Sequence, residues 1–430
     1  MQTTRPQLLT LLFPLYLLFI ALVTAVIGLY NLHLRSDWAM ADWLINYSGG
    51  FVRRGLTGQL ALTASKSALT LAHLHLSPFV TILALQYLLY AAILLAVWKL
   101  LRHIRWTTWI IALVFSPATL AFPVLDPSFA FRKDILFLAE LALLLLLLRR
   151  HPVPTGGPAP STRPPSRNIP DLWIALYLCA ATTACILSHE GLVVYVPYLL
   201  AALAIALHDL RRSILIAVPT ALCSLAAAVL ASRFPGTLRT SQTVCNSLGF
   251  TFSQAPGSFC SGAIAYLSRD STYARAQVLQ VVASEHYATL MPRLALLSLL
   301  PILLAAAALW RVPNLRRDLL TLAVAALLSI AASTLLFLYG TDWTRWIYLH
   351  VLSLTLLLLF LNDHQHRAHP TTPLPDPYLP HHRPARLATF ALLALYIFGW
   401  DLAIYQPRIP LGGLIHYILQ QRRIAHQPTS

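Results

Sequence analysis

"LLTLLFPLYLLFIALVTAVIGLY", residues 8–30, runs for 23 positions without one charged side chain. About 20 apolar residues in helical form span the hydrocarbon core of a bilayer, so this stretch predicts a transmembrane helix. Met-Gln-Thr-Thr-Arg precedes it, and the run is too long for a signal-peptide core and lacks an A-x-A-type cleavage site, so it reads as a retained first span. The remainder of the 430 residues has the same character. Hydrophobic residues make up 57% and charged residues only 11%, against about 25% charged in soluble proteins. Hydropathy places about eleven spans, starting near Leu8, Phe79, Trp106, Ile135, Leu172, Gly191, Ser213, Arg293, Leu319, Trp346 and Leu387, with Pro117 and Pro123 interrupting the third and fourth. The expected fold is an all-α polytopic integral membrane protein, a single transmembrane domain over residues 1–430.

A formal net charge of +16 would suit nucleic acid, but the chain has no basic soluble domain or known binding motif. Arginine and lysine collect instead in loops that stay in the cytoplasm. With a cytoplasmic N-terminus, 16 of the 31 basic residues fall in the inner loops, which are the shorter part of the loop sequence. Two of those loops, 149–171 and 362–386, are Pro-rich and read as linkers. The second holds His364, His366, His369, His381 and His382, with prolines that oppose a rigid metal site. The same orientation makes 31–78 and 233–292 the large extracytoplasmic loops. Cys245 and Cys260 lie in the latter, where disulfides persist, and a structural disulfide is expected. Cys179, Cys185 and Cys223 sit in apolar runs as small hydrophobes.

The polar residues of unusual type gather in those outer loops. "SDWAMADWLINYSGGFVRRGLTGQL", residues 36–60, holds two Asp-Trp pairs, four glycines and Arg53-Arg54. Ser36 can cap a helix with Asp37 in its first turn. Trp38, Asp42 and Asn46 would then share a face, with Trp43 next to Tyr47. Such a helix suits the headgroup layer. Anchoring explains the tryptophans but not the Gly-Gly-Phe-Val-Arg-Arg-Gly run, nor a third Asp-Trp with arginine at Asp342, Trp343 and Arg345. "DPSFAFRKD", residues 126–134, brings Arg132 and Lys133 to the end of the fourth span, and "SHEG", residues 188–191, brings His189 and Glu190 to the next turn. Ionisable groups near a membrane are costly and mark candidate sites. Glu140 and Asp401, inside spans, are expected to be neutral or paired.

Guanidinium forks match phosphate oxygens, and an extracytoplasmic site has no ready supply of nucleotide-activated substrate. A carboxylate can take a proton from an attacking sugar hydroxyl, while arginines stabilise charge on a departing polyprenyl phosphate. This layout of spans, with an early Asp and an interfacial helix in the first outer loop, resembles the GT-C class of membrane glycosyltransferases. The run "DWLINYSGGFVRRGLTG" also resembles a signature of poorly characterised bacterial envelope proteins. The GT-C resemblance implies a base at Asp42 or Asp37, with Asp42 preferred as contiguous with the Gly-Arg run, and a polyprenyl-phosphate sugar as donor. It implies a glycan acceptor and a bacterial inner membrane. Arg53, Arg54, Arg132, Lys133 and Arg345 would hold phosphate. Glu190, His189, Asp342, Trp43 and Tyr47 would position the acceptor, Glu190 and Asp342 alternatively a divalent ion, with no other cofactor specified. The chain lacks the class's soluble C-terminal domain and paired acidic motif. A polysaccharide polymerase, a lipid-linked glycan transporter and a non-catalytic assembly protein remain as alternatives.

Overall fold

Without water to satisfy them, backbone N–H and C=O groups inside a bilayer must pair within their own segment, and helices do this. A computed structural model describes residues 5–151, 170–369, 376–380 and 382–402. Among them every regular element is helical. Those of eight residues or more are α1 (Arg5–Leu34), α2 (Leu56–Ala72), α3 (Pro78–Leu101), α4 (Thr108–Phe115), α5 (Asp134–Leu148), α6 (Asp171–Ser188), α7 (Val196–Leu207), α8 (Leu210–Arg233), α9 (Leu238–Ser247), α10 (Ser271–Ser284), α11 (Tyr287–Trp310), α12 (Arg316–Tyr339), α13 (Trp343–Ala368) and α14 (Arg383–Phe398). Eight segments among the described residues are long and apolar enough to cross a membrane: α1, α3, α6, Glu190–Leu207 with α7, α8, α11, Pro313–Tyr339 with α12, and α13. This is the make-up of a multi-pass membrane protein.

Three of the eleven expected spans come out shorter. The third expected span yields only α4, because Ser116 leaves helical geometry at ψ 137° ahead of Pro117, whose ring disfavours helix in the residue before it. α5 has 15 residues and α14 has 16. Residues 403–430 lie outside the described part, as do 1–4, 152–169, 370–375 and 381, and with them most of the expected 149–171 linker and His381. The other expected linker starts later than 362, since α13 continues to Ala368 with Asn362, Asp363 and His364 buried.

Three helices form the interior, among them α7, of whose twelve residues nine are buried. α13 is buried at every position from Thr344 to His364, and α5 at all but a few. The other long helices surround them and expose leucines such as Leu11, Leu22, Leu222 and Leu327, a surface that hydrocarbon accepts. α5 and α13 pack together and begin at the same end of the bundle. At that end Arg345 Nε lies 2.8 Å from Asp134 Oδ2. At the opposite end Arg149, just past α5, bonds Asp363 of α13 at 2.9 and 3.0 Å, joined by Arg367 at 2.9 Å. Between the two ends Glu140 of α5 accepts a hydrogen bond from Thr182 of α6.

The first loop departs from expectation. Residues 36–44 form successive turns instead of an interfacial helix, and Ala39–Asn46 are buried. The Ser36 cap survives, with Oγ accepting from Ala39 N at 3.0 Å. The reason for burial is tertiary: the segment between α8 and α10 folds over the loop. Met40, Trp43, Leu44 and Ile45 share a second hydrophobic core with Val244, Phe259 and Ile264. Cys245 and Cys260 are disulfide-bonded within that core. Asp37 is drawn into the same contact, its carbonyl accepting from Ala263 N at 3.0 Å and its carboxylate from Ser261 Oγ at 3.2 Å. Asn46 donates to Ser247 Oγ at 3.0 Å.

α2 then crosses the loop backbone so closely that a Cβ on Gly58 would stand 2.1 Å from Ile45 O and 2.6 Å from Leu44 O. Neither neighbour is a flexible side-chain end, so the helix and loop must separate to admit it. Gly58→Ala is expected to destabilise the protein by about 1–3 kcal/mol, read as a lower thermal unfolding temperature in detergent. An unchanged temperature would refute the close crossing.

Candidate functional site

The polar residues from separate loops converge at the end where α5 and α13 begin. Arg53 and Arg54 arrive on a turn leading into α2. Arg53 N donates to Phe234 O at 3.0 Å, and Arg54 adopts φ +66°, a left-handed conformation that costs an L-residue about 1 kcal/mol or more. The Lys133 ammonium, one residue before α5, donates to Arg54 O at 2.7 Å and holds the turn in that conformation. The Arg54 side chain engages Glu190 bidentately, Nε to Oε2 at 2.9 Å and Nη2 to Oε1 at 2.8 Å. Arg53 Nη1 approaches the same Oε1 at 3.6 Å, while its Nε is buried without a hydrogen-bond partner.

Behind this pair lies a sealed layer. Asp42 and Lys133 are both 0% exposed, with Oδ1 and Nζ 3.7 Å apart, and neither Asp42 oxygen accepts a hydrogen bond. Burial alone pushes the Asp42 carboxyl up, but Lys133, Arg132 and Arg54 outweigh it and hold the group at about 2. Burial pulls the Lys133 ammonium down to about 8 in spite of Asp42. His189, buried and close to Arg54, is held well below its usual value and is neutral.

The third part of the cluster joins α5 to α13. Arg345 contacts Asp134 and Asp342, each at 2.8 Å, as ion pairs rather than aligned hydrogen bonds. Arg132 Nη2 lies 3.6 Å from Asp342, and its guanidinium stacks 4.8 Å from the Trp38 ring centroid. Burial and the neighbouring Arg345 lower its pKa despite Asp342. Together Arg53, Arg54, Arg132, Lys133 and Arg345 face Asp42, Asp134, Glu190 and Asp342. Among the described residues the ion pairs of this cluster join five cations to four carboxylates, one positive charge in excess.

Access to solvent is uneven. The side chains of Arg53, Arg54, Glu190 and Asp342 are 27%, 22%, 23% and 22% exposed, while those of Lys133, Arg132 and Arg345 are buried. Compared with protein-family models, with curated proteins and with solved structures, the chain matches none. Its chemistry is therefore read from the cluster itself.

The expected site residues divide accordingly. Arg53, Arg54, Glu190 and Asp342 meet at the accessible rim, and Asp42, Lys133, Arg132, Arg345 and His189 lie beneath it. Asp37 belongs to the contact with Ser261 instead. Trp43 is fully buried, donating from Nε1 to Phe131 O at 2.7 Å, so it braces the loop and faces no ligand. Tyr47 is half-buried and stacks on Phe51 at 5.0 Å; Phe51 in turn meets Phe234 edge-on at 5.1 Å. Two participants were not singled out from sequence. Asp134 closes a charged triplet at the mouth of an apolar helix, a signal present in the string. Phe234, nearly two hundred residues from the first loop, had no local signal at all. Among the described residues no group of three or more His, Cys, Asp or Glu side chains is arranged to hold a metal ion, and Glu190 and Asp342 are matched to arginines. An apolar cavity of about 310 Å³ between α4, α11 and α14, lined by Trp109, Leu300, Leu392 and Tyr396 among others, shares no residue with the cluster.

Removing one member of a buried ion pair strands the other, at about 3–5 kcal/mol. Asp42→Asn should lower thermal stability by that order, and the double replacement Asp42→Leu with Lys133→Met should recover most of it. A Lys133 pKa near 8 against about 10.4 in the unfolded chain means the unfolded state binds more protons across that window. Stability from this group is then fully present above the unfolded value and is lost as pH falls through about 8. Lys133→Met should flatten that part of the stability–pH curve; the same slope in both proteins would remove Lys133 as its source.

Proposed function

We propose that this chain is a membrane glycosyltransferase that moves a sugar from a polyprenyl-phosphate donor to a lipid-linked or envelope glycan on the extracytoplasmic face of a bacterial inner membrane. The observation that carries the reading is the unmatched cation in a cluster withdrawn from water yet open at Arg53, Arg54 and Glu190. Uncompensated buried charge is expensive, and an anionic ligand relieves it. Two adjacent guanidinium groups fit phosphate in charge and in fork geometry. The excess of basic residues in the other set of loops favours the extracytoplasmic side for this end, where a lipid-carried phosphate is the available donor class.

In the proposed reaction the acceptor hydroxyl oxygen forms a bond to the sugar's anomeric carbon as the bond from that carbon to the phosphate oxygen breaks. The electron pair leaves with the phosphate, whose growing charge Arg53 and Arg54 stabilise. The hydroxyl proton passes to a carboxylate. Asp42, the base implied by the GT-C resemblance, is sealed behind Lys133 and keeps that ammonium charged. Glu190 has access to solvent; although burial pushes its carboxyl up, the Arg54 contact together with His189 and Arg53 holds it well below the usual range, so it is the proposed base once phosphate has taken the Arg54 fork. The second reading is a polymerase acting on a polyprenyl diphosphate, with Arg132 and Arg345 taking the second phosphate. Both are buried and already share Asp342, which favours one phosphate.

Mass spectrometry of lipid-linked glycans and surface polysaccharide from the native host tests the reading. The comparison is wild type, a deletion, and the deletion carrying Arg53→Ala with Arg54→Ala. A glycan one sugar short in both altered strains is expected. Full-length units accumulating unpolymerised would transfer the assignment to the polymerase, and an unchanged glycan profile in the deletion would end both readings.

A further inference from the structure

We infer that the Arg54–Glu190 pair is the self-occupied resting state of an anion site, and that a phosphate group enters by displacing the Glu190 carboxylate from the Arg54 fork. This rests on the reading that Arg53 and Arg54 receive phosphate, and it adds how the site is filled, which ionisation state it selects and how it empties.

The geometry is that of a site with a surrogate ligand in it. One carboxylate takes two donors of Arg54 at 2.8 and 2.9 Å while Arg53 points at one of the same oxygens from 3.6 Å. Two arginines on one planar monoanion leave Arg53 poorly matched, with its Nε unpartnered. A tetrahedral phosphate offers oxygens to both forks at once. The exchange needs no opening of the buried layer, because all three side chains already reach solvent.

The two halves of the pair are held differently. The arginine backbone is tied at two points, Arg53 N to Phe234 O and Arg54 O to Lys133 Nζ. Glu190 opens a short 3-10 turn after the extended residue His189, and among the described residues its carboxylate is held through the arginines. The forks therefore stay while the carboxylate swings away on its own side-chain torsions.

Charge then selects the ligand. With Glu190 displaced, five cations face three carboxylates, a surplus of two. A phosphate monoester carries nearly two negative charges at neutral pH, whereas a sugar phosphodiester carries one. The emptied site thus matches the leaving polyprenyl phosphate better than the intact donor, the differential that accelerates a reaction. Glu190, having taken the acceptor's proton, competes weakly for Arg54. Once it gives that proton to water its carboxylate again competes for the fork and closes on Arg54 as the product leaves.

Binding to the purified full-length protein in nanodiscs tests this without reference to sugar transfer. The probes are a short-chain polyprenyl phosphate and inorganic phosphate, measured against wild type, Glu190→Gln and Arg54→Gln, with thermal unfolding to confirm that each variant is folded. Glu190→Gln is expected to bind polyprenyl phosphate tighter by about tenfold or more, and Arg54→Gln to lose binding. Equal or weaker binding by folded Glu190→Gln overturns the exchange. Tightening for inorganic phosphate to the same affinity as the lipid keeps the exchange and makes free phosphate the occupant. If the affinity order holds while the glycan profile of the deletion is unchanged, the exchange stands and the transferase reading falls; a shortened glycan with no tightening gives the reverse.

Discussion

α5 and α13 are two buried helices, running in the same direction, that are ion-paired at both ends. Asp134 with Arg345 closes one end and Arg149 with Asp363 the other. The pairs are 15 residues apart on one helix and 18 on the other, about 22 and 27 Å of helix. Sliding one helix by a turn, about 5.4 Å, would break both pairs and leave the buried Asp134 without its arginine, at several kcal/mol, while Arg345 and Asp363 would keep only their same-helix partners Asp342 and Arg367. Asp134 also suits the positive end of its own helix dipole, whereas Arg345 in the first turn of α13 opposes the dipole of its helix. Arg345 is thus explained by its partners across the interface and not by the helix that carries it.

That lock places everything at the site end. Arg132 and Lys133 immediately precede Asp134, so the register that seats Asp134 against Arg345 also delivers Arg132 to Asp342 and Lys133 to the first loop. Lys133 joins the layers: its ammonium faces Asp42 and bonds the carbonyl of Arg54, whose left-handed backbone aims the guanidinium at Glu190. Over the loop lies the disulfide-linked segment, whose apolar side chains share a core with Met40, Trp43, Leu44 and Ile45 on either side of Asp42. Cation surplus, restricted access and a rigid arginine turn are consequences of one packing arrangement, and they support an anion site whose resident carboxylate gives way to phosphate.

Much of this was legible in the string. Uncharged runs predicted the long helices, since backbone groups in hydrocarbon leave few other solutions. Carboxylates and arginines at helix ends predicted where charged side chains would gather, since charge in a lipid-facing stretch is excluded by cost. The helix expected in the first loop does not form, for an identifiable reason. Trp38, Trp43 and Tyr47 are equally good as headgroup anchors or as core, and local spacing does not distinguish a ring facing lipid from one covered by a segment two hundred residues away. Ser116 before Pro117 shows the opposite case, a purely local steric rule that ends α4 as its sequence implies.

By itself the sequence determined the class of fold, the long apolar helices and most of the charged residues at one end of the bundle, because those follow from how each residue type partitions between water and hydrocarbon. Only the tertiary structure decided which carboxylate meets which arginine. Asp42 and Glu190 are the same kind of group at the same end of the bundle. One is sealed against Lys133 and the other lies at the rim on Arg54, because α5, α13 and the disulfide-linked cover are packed in that register. Pairing and exposure depend on distances across the fold, and those distances are fixed by long-range packing and not by any residue's neighbours in the chain.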